Sequence, residues 1–175
     1  MDLGQVDRIT ADAIGEPGSR VFYIQARAGS ELVTVIVEKE QVQLLAATVL
    51  ELLESTSTEE DPSEADMGLE EPLDARWRAG RLSLAFDEDR DLFLLEVQEF
   101  RPEAEEADPE DPRTMLSEEE PETIRLWASA AQMLALSRYG ATVAARGRPA
   151  CQFCGNPMDP EGHVCPAMNG HSATR

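Results

Sequence analysis

Apolar and polar residues alternate through much of the first hundred positions. Ile9, Ala11 and Ala13 fall on every second residue ahead of Gly15-Glu16-Pro17-Gly18, a turn-forming run. From Arg20 to Ala28, one face carries Phe22, Ile24, Ala26 and Ala28, and the other Val21, Tyr23, Gln25 and Arg27. That is the period of a half-buried strand. Gly29-Ser30 separates it from Glu31 to Glu38, a stretch rich in β-branched residues. The pair predicts a hairpin, because glycine supplies the positive φ that a primed turn requires. At Lys39 the period changes. Val42, Leu45, Val49 and Leu52 recur at three- and four-residue steps, predicting an amphipathic helix that ends near Glu54. Alternation returns from Arg78 to Asp87, with Leu82, Leu84 and Phe86 on one side. Asp87-Glu88-Asp89-Arg90 then turns the chain into Asp91 to Phe100, where Phe93, Leu95 and Val97 alternate: a second hairpin.

Further on, Ser117 and Glu120 have the spacing of a capping box, and Pro121 suits the first turn of a helix. Ile124, Trp127, Ala131 and Leu134 form one stripe, predicting a second helix to about Tyr139. Gly140 could end it, or Ala141 to Ala145 could extend it. Strands grouped in hairpins with segregated helices predict an α+β fold: an antiparallel sheet built from hairpins and packed with two helices. Trp77, Phe86 and Trp127 are expected in the core, and no internal repeat is visible.

Charge refines this outline. The 175 residues carry 35 acidic and 15 basic side chains, a net −20. Glu51 to Glu71 holds nine acidic and no basic residues; Glu99 to Glu122 holds eleven acidic and two basic. Both stretches contain prolines and lack an apolar period, so they read as solvated loops. The expected organisation is an α+β domain over 1–146, with acidic loops at 55–74 and 101–118, and a small Cys/His tail over 147–175. Such a field repels nucleic acid, and no basic stripe offsets it. No apolar run reaches the length of a membrane span. The first residues lack the basic and apolar regions of a secretory signal. A cytoplasmic protein with no nucleic-acid or membrane partner is expected.

The tail carries the clearest chemistry. Cys151, Cys154, His163 and Cys165 follow the spacing C-x2-C-x8-H-x-C. Two cysteines separated by two residues can grip one ion through the turn between them, and Gly155 permits the tight backbone geometry that lets amide N–H groups face the sulfurs. A second turn, helped by Gly162, presents His163 and Cys165. Three cysteines and one histidine make a closed tetrahedral set of the structural zinc class, and thiolate softness favours zinc or iron over magnesium or calcium. His171 is the other candidate for the fourth position; His163 is preferred because its turn mirrors the Cys151–Cys154 knuckle. All three cysteines and both histidines of the chain fall within this tail.

Nothing comparable points to catalysis. Gly15 to Arg20 looks like a phosphate loop but precedes a strand rather than a helix, and reads as a turn. Lys39, the single lysine, stands between Glu38 and Glu40 and reads as a surface ion pair.

The segments Gly15 to Ala26, Val35 to Val42, Trp77 to Asp87 and Cys151 to Gly170 together resemble domain-of-unknown-function family 3090, with Asp159-Pro160-Glu161-Gly162-His163 and Cys165 as the most specific part. The resemblance implies an actinobacterial or related bacterial protein of the cytoplasm. It also implies a shared process with a histidine-phosphatase-like protein and a protein resembling phosphatidylinositol kinases. In that family's pattern the position of His171 is more often tyrosine, which favours His163. The expected role is an accessory or adaptor protein that acts through protein contacts and carries structural Zn2+. The rival is an enzyme or ligand-binding protein acting on a phosphorylated small molecule, with Arg20, Arg27, Arg76, Arg78 and Arg81 as anion contacts. A concave pocket lined by several of these arginines would favour the rival.

Overall fold

A computed structural model describes residues 1–53, 67–101, 120–147, 150–158, 162–168 and 172–173. The expected hairpins form where the period of two places them. Strand β1 spans Asp2–Gln5, β2 Arg8–Ile14, β3 Val21–Ala28 and β4 Glu31–Val37. Gly29 turns β3 into β4 with φ of 59°, at the residue where a Gly-first primed turn needs it. Helix α1 covers Lys39–Leu53 and buries Val42, Leu45, Ala46, Val49 and Leu53. Strands β5 (Ala75–Asp87) and β6 (Leu92–Glu99) make the second hairpin. Asp87 Oδ1 accepts the backbone N–H groups of Asp89 and Arg90 in its turn.

The C-terminal third departs from the expected pattern. Thr123–Ala128 is a strand, β7, and helix α2 runs from Ala130 to Ala145. Ile124, Leu126 and Ala128 are buried, so it is the two-residue period that governs here. Ser117 lies outside the described residues. The capping box is instead Ser129 with Gln132: Ser129 Oγ accepts the Gln132 N–H and Gln132 Oε1 accepts that of Ser129. Trp127, expected in the core, sits on the opposite face of β7 from those buried residues. The Arg90 guanidinium lies 4.5 Å from its ring centre. Trp77 and Phe86 do pack against the core. Gly140 does not end α2. The helix continues because Gly140 passes tightly over its neighbours: a Cβ there would stand 3.1 Å from Val42 Cγ1 and 3.3 Å from Ala11 Cβ.

The seven strands form one mixed sheet, ordered β1-β7-β6-β5-β4-β3-β2, so with two helices the fold is α+β. The β1–β7 and β4–β5 pairs are parallel and the other four antiparallel. β1 and β2 stand at opposite ends of this order, yet only Val6 and Asp7 separate them. In a flat sheet the two ends would lie roughly 29 Å apart, at about 4.8 Å per strand. The link can span at most about 11 Å. The sheet therefore curls until its ends meet. The hand-over is visible in adjacent residues: the Val6 N–H donates to Trp127 O on one side, and the Asp7 N–H to Arg27 O on the other, both at 2.8 Å. Inside the curl, Ile24, Ala26, Val33 and Val35 share one small void with Val97, Ile124 and Leu126.

The helices join this core side by side, Ser137 Oγ donating to Ala46 O at 2.8 Å. Gln132 Nε2 reaches Val6 O at 3.0 Å and Asp7 O at 3.1 Å, so the residue that caps α2 also holds the closing link. On the outer face of β2–β4, residues 67–70 lie across three buried polar side chains. Thr10 donates to Met67 O, and Gln25 exchanges hydrogen bonds with the Glu70 backbone while donating to Thr34. Arg8 and Arg27 approach the Glu70 carboxylate. No helix among the described residues is long and apolar enough to cross a membrane.

Two substitutions test this packing. Gly140→Leu forces α2 away from Ala11 and Val42 and is expected to cost about 1–3 kcal/mol. Gln132→Ala removes half the capping box and both bonds to the closing link, with an expected cost of about 1–2 kcal/mol. Urea unfolding of each variant measures both.

Candidate metal centre

The tail builds its site from two turns. Cys151 opens the first: its N–H donates to Asn156 O and its carbonyl accepts the Gly155 N–H, both at 2.8 Å. Gly155, with φ of 75°, takes the left-handed conformation that folds this knuckle back on itself. A bridge between Ala150 and Pro157 closes its base. The second turn brings in β8, His163–Val164, which pairs with β9, Ser172–Ala173. His163 lies within β8 and Cys165 directly follows it.

The ligand atoms of Cys151, Cys154, His163 and Cys165 all lie within 4.8 Å of one another. Cys151 Sγ is 3.9 Å from Cys165 Sγ, and Cys154 Sγ is 3.6 Å from His163 Nε2. Cys151 and Cys165 are buried; Cys154 and His163 are half-buried. Three sulfurs and one imidazole so placed could bind a metal ion. His171 lies outside the described residues. Knuckle N–H groups favour the thiolate needed for coordination. Backbone donation from Phe153 and Cys154 lowers the Cys151 thiol to about 6. Burial pushes the Cys154 thiol the other way; a cation at the centre would oppose that shift.

The apolar support of the cluster is slight. Cys151, Met158 and Cys165 are its buried residues, with Cys154 packed against them. Phe153 and Val164, by contrast, are 55% and 69% exposed.

The five arginines considered as anion contacts do not converge as a group. Arg20 and Arg78 reach a common pocket, lined also by Lys39. Arg27 approaches Glu70, Arg76 donates to Met1 Sδ, and Arg81 borders a groove beside α1. Lys39 is not in the surface ion pair expected of it: Glu38 pairs with Arg78, and Lys39 has no ion-pair partner among the described residues. Its being the only lysine, at the start of a helix, was a signal in the sequence beside Arg20 and Arg78 that pointed to this pocket.

A family model described as "Protein of unknown function (DUF3090)" matches residues 1–165. No curated protein and no solved structure matches the chain.

Metal binding requires thiolate sulfurs, so acid competes with the ion. The Cys151 thiol is held as thiolate above about pH 6, and this contribution is lost as the pH falls through that value. Metal release followed with a chromogenic chelator is expected to rise as the pH is lowered through this range. Release that does not depend on pH would contradict thiolate coordination.

Proposed function

This chain belongs to the DUF3090 family, and from that premise and its Cys/His cluster we propose an accessory protein whose tail is folded around structural zinc. Cys151, Cys154, His163 and Cys165 are the four ligands of this reading. The observation that carries it is the spacing of the ligand atoms. In a tetrahedral site with Zn–S of about 2.3 Å and Zn–N of about 2.05 Å, sulfurs stand about 3.8 Å apart and sulfur and nitrogen about 3.6 Å. Cys151 Sγ and Cys165 Sγ are 3.9 Å apart, and Cys154 Sγ and His163 Nε2 3.6 Å. With every coordination position taken by protein, no place is left for a substrate, so the ion holds structure rather than driving a reaction.

Energetics support the same role. Among the described residues of the tail, the three buried apolar side chains offer little against the entropy of ordering it. A structural zinc supplies about 10–16 kcal/mol in small peptides, comparable with the whole stability of an ordinary domain, about 5–15 kcal/mol.

The accessory role rests on protein contacts. Phe153, in the first turn, and Val164, in β8, leave apolar surface in solvent on either side of the cluster. The first partners to test are the histidine-phosphatase-like and phosphatidylinositol-kinase-like proteins implied by the resemblance.

Metal analysis of the purified chain should return about one zinc per chain. Cys154→Ser and His163→Ala should each lower the zinc content, and His171→Ala should leave it unchanged. Zinc retained in Cys154→Ser refutes the ligand set. In pull-down with the two named partners, the Phe153→Ser/Val164→Ser double variant should keep zinc and lose binding. Binding equal to the parent, or no binding by either form, removes the adaptor reading.

A further inference from the structure

A pocket of about 320 Å³ opens where the turn before β3, the start of α1, β5 and the tail meet. That volume is at the lower end of small-ligand sites, about 300–1,000 Å³. Its charge is opposite to that of the protein as a whole. Arg20, Lys39 and Arg78 line it against the single carboxylate of Glu38, in a chain with a net charge of −20. Arg78 pairs with Glu38. Arg20 gives one nitrogen to Val143 O at the end of α2, at 3.0 Å, and its guanidinium lies 5.4 Å from the Phe22 ring centre. Lys39 is bonded to none of the described residues.

Gly147 lies beside two of the cations. A Cβ on this residue would lie 3.5 Å from Lys39 Nζ and 4.0 Å from Arg20 NH2, so both groups border the space left by its missing side chain. Two like charges facing a shared cavity repel each other unless an anion stands between them. The positive end of α1, which begins at Lys39, points to the same sign of ligand. Beyond the cations, Val21 and Ile36 contribute apolar wall.

We propose that this pocket binds a small organic phosphate, its phosphoryl group held by Lys39, Arg20 and Arg78 and its organic part lying against β3 and β4. A phosphate monoester is a dianion whose oxygens match the forked donors of arginine, and a carboxylate provides half that charge. The site is separate from the metal cluster, although the tail contributes Gly147 and Pro157 to its wall.

The test is titration calorimetry on the full chain purified with its metal, using phenyl phosphate, inorganic phosphate and benzoate as probes. Phenyl phosphate should bind saturably and more tightly than the other two. Lys39→Met, which breaks no bond among the described residues, should weaken it about tenfold or more. Gly147→Leu should weaken it comparably by filling the space between the cations while leaving every charge in place. Glu38→Gln frees Arg78 and should tighten binding. Urea midpoints keep changes of fold apart from changes of affinity. No saturable binding of phenyl phosphate, equal binding of benzoate, or parental affinity in both Lys39→Met and Gly147→Leu would overturn the proposal.

Discussion

Two residues between strands at opposite ends of the sheet decide the architecture. Because Val6 and Asp7 must connect β1 beside β7 to β2 beside β3, the sheet has to close on itself. Closure turns the inner faces of β3 and β4 toward those of β6 and β7, and that meeting is the core. Val6 extends the β1–β7 ladder and Asp7 the β2–β3 ladder, so the link passes from one end of the strand order to the other within two residues. The helices follow from it: α2 enters at Gln132, which is bonded to the link itself, and α1 packs behind α2 through Ser137 and Gly140.

The tail obeys a different economy of forces. The main domain is held by a large apolar cluster, whereas the Cys/His turns have almost none. Four donor atoms lie within 4.8 Å of one another there and could bind a metal ion. Phe153 and Val164 of these turns stand in solvent. Gly147 and Pro157 also complete the wall of the concavity where Arg20, Lys39 and Arg78 come together.

Much of this was legible in the residues. The β3–β4 hairpin, α1 and the β5–β6 hairpin follow from period and turn chemistry, and the Cys/His spacing, with the family resemblance, pointed to the four residues that lie together in the tail. β7 was not, for a definite reason. Ile124, Trp127, Ala131 and Leu134 satisfy helical spacing, while Ile124, Leu126 and Ala128 satisfy alternation; only the neighbouring strand β6 decides between them. Ser117 and Glu120 imitate a capping box that Ser129 and Gln132 supply. β1 is four residues long and contains Gly4, too little for a periodic signal. The burial of Thr10, Gln25 and Thr34 depends on residues 67–70 crossing them, and the cationic pocket on positions 20, 39 and 78 converging; local pattern carries neither.

The seam between β1 and β7 also has a meaning in time. During synthesis the first strand leaves the ribosome more than a hundred residues before the one it pairs with. Until β7 arrives, the β2–β4 meander and the β5–β6 hairpin must wait with the future interior uncovered. Such long-range pairing makes for slow closure and a vulnerable nascent chain. The dense negative charge of the stretches from Glu51 to Glu71 and Glu99 to Glu122, synthesised before the seam can form, keeps unfinished copies from associating while they wait.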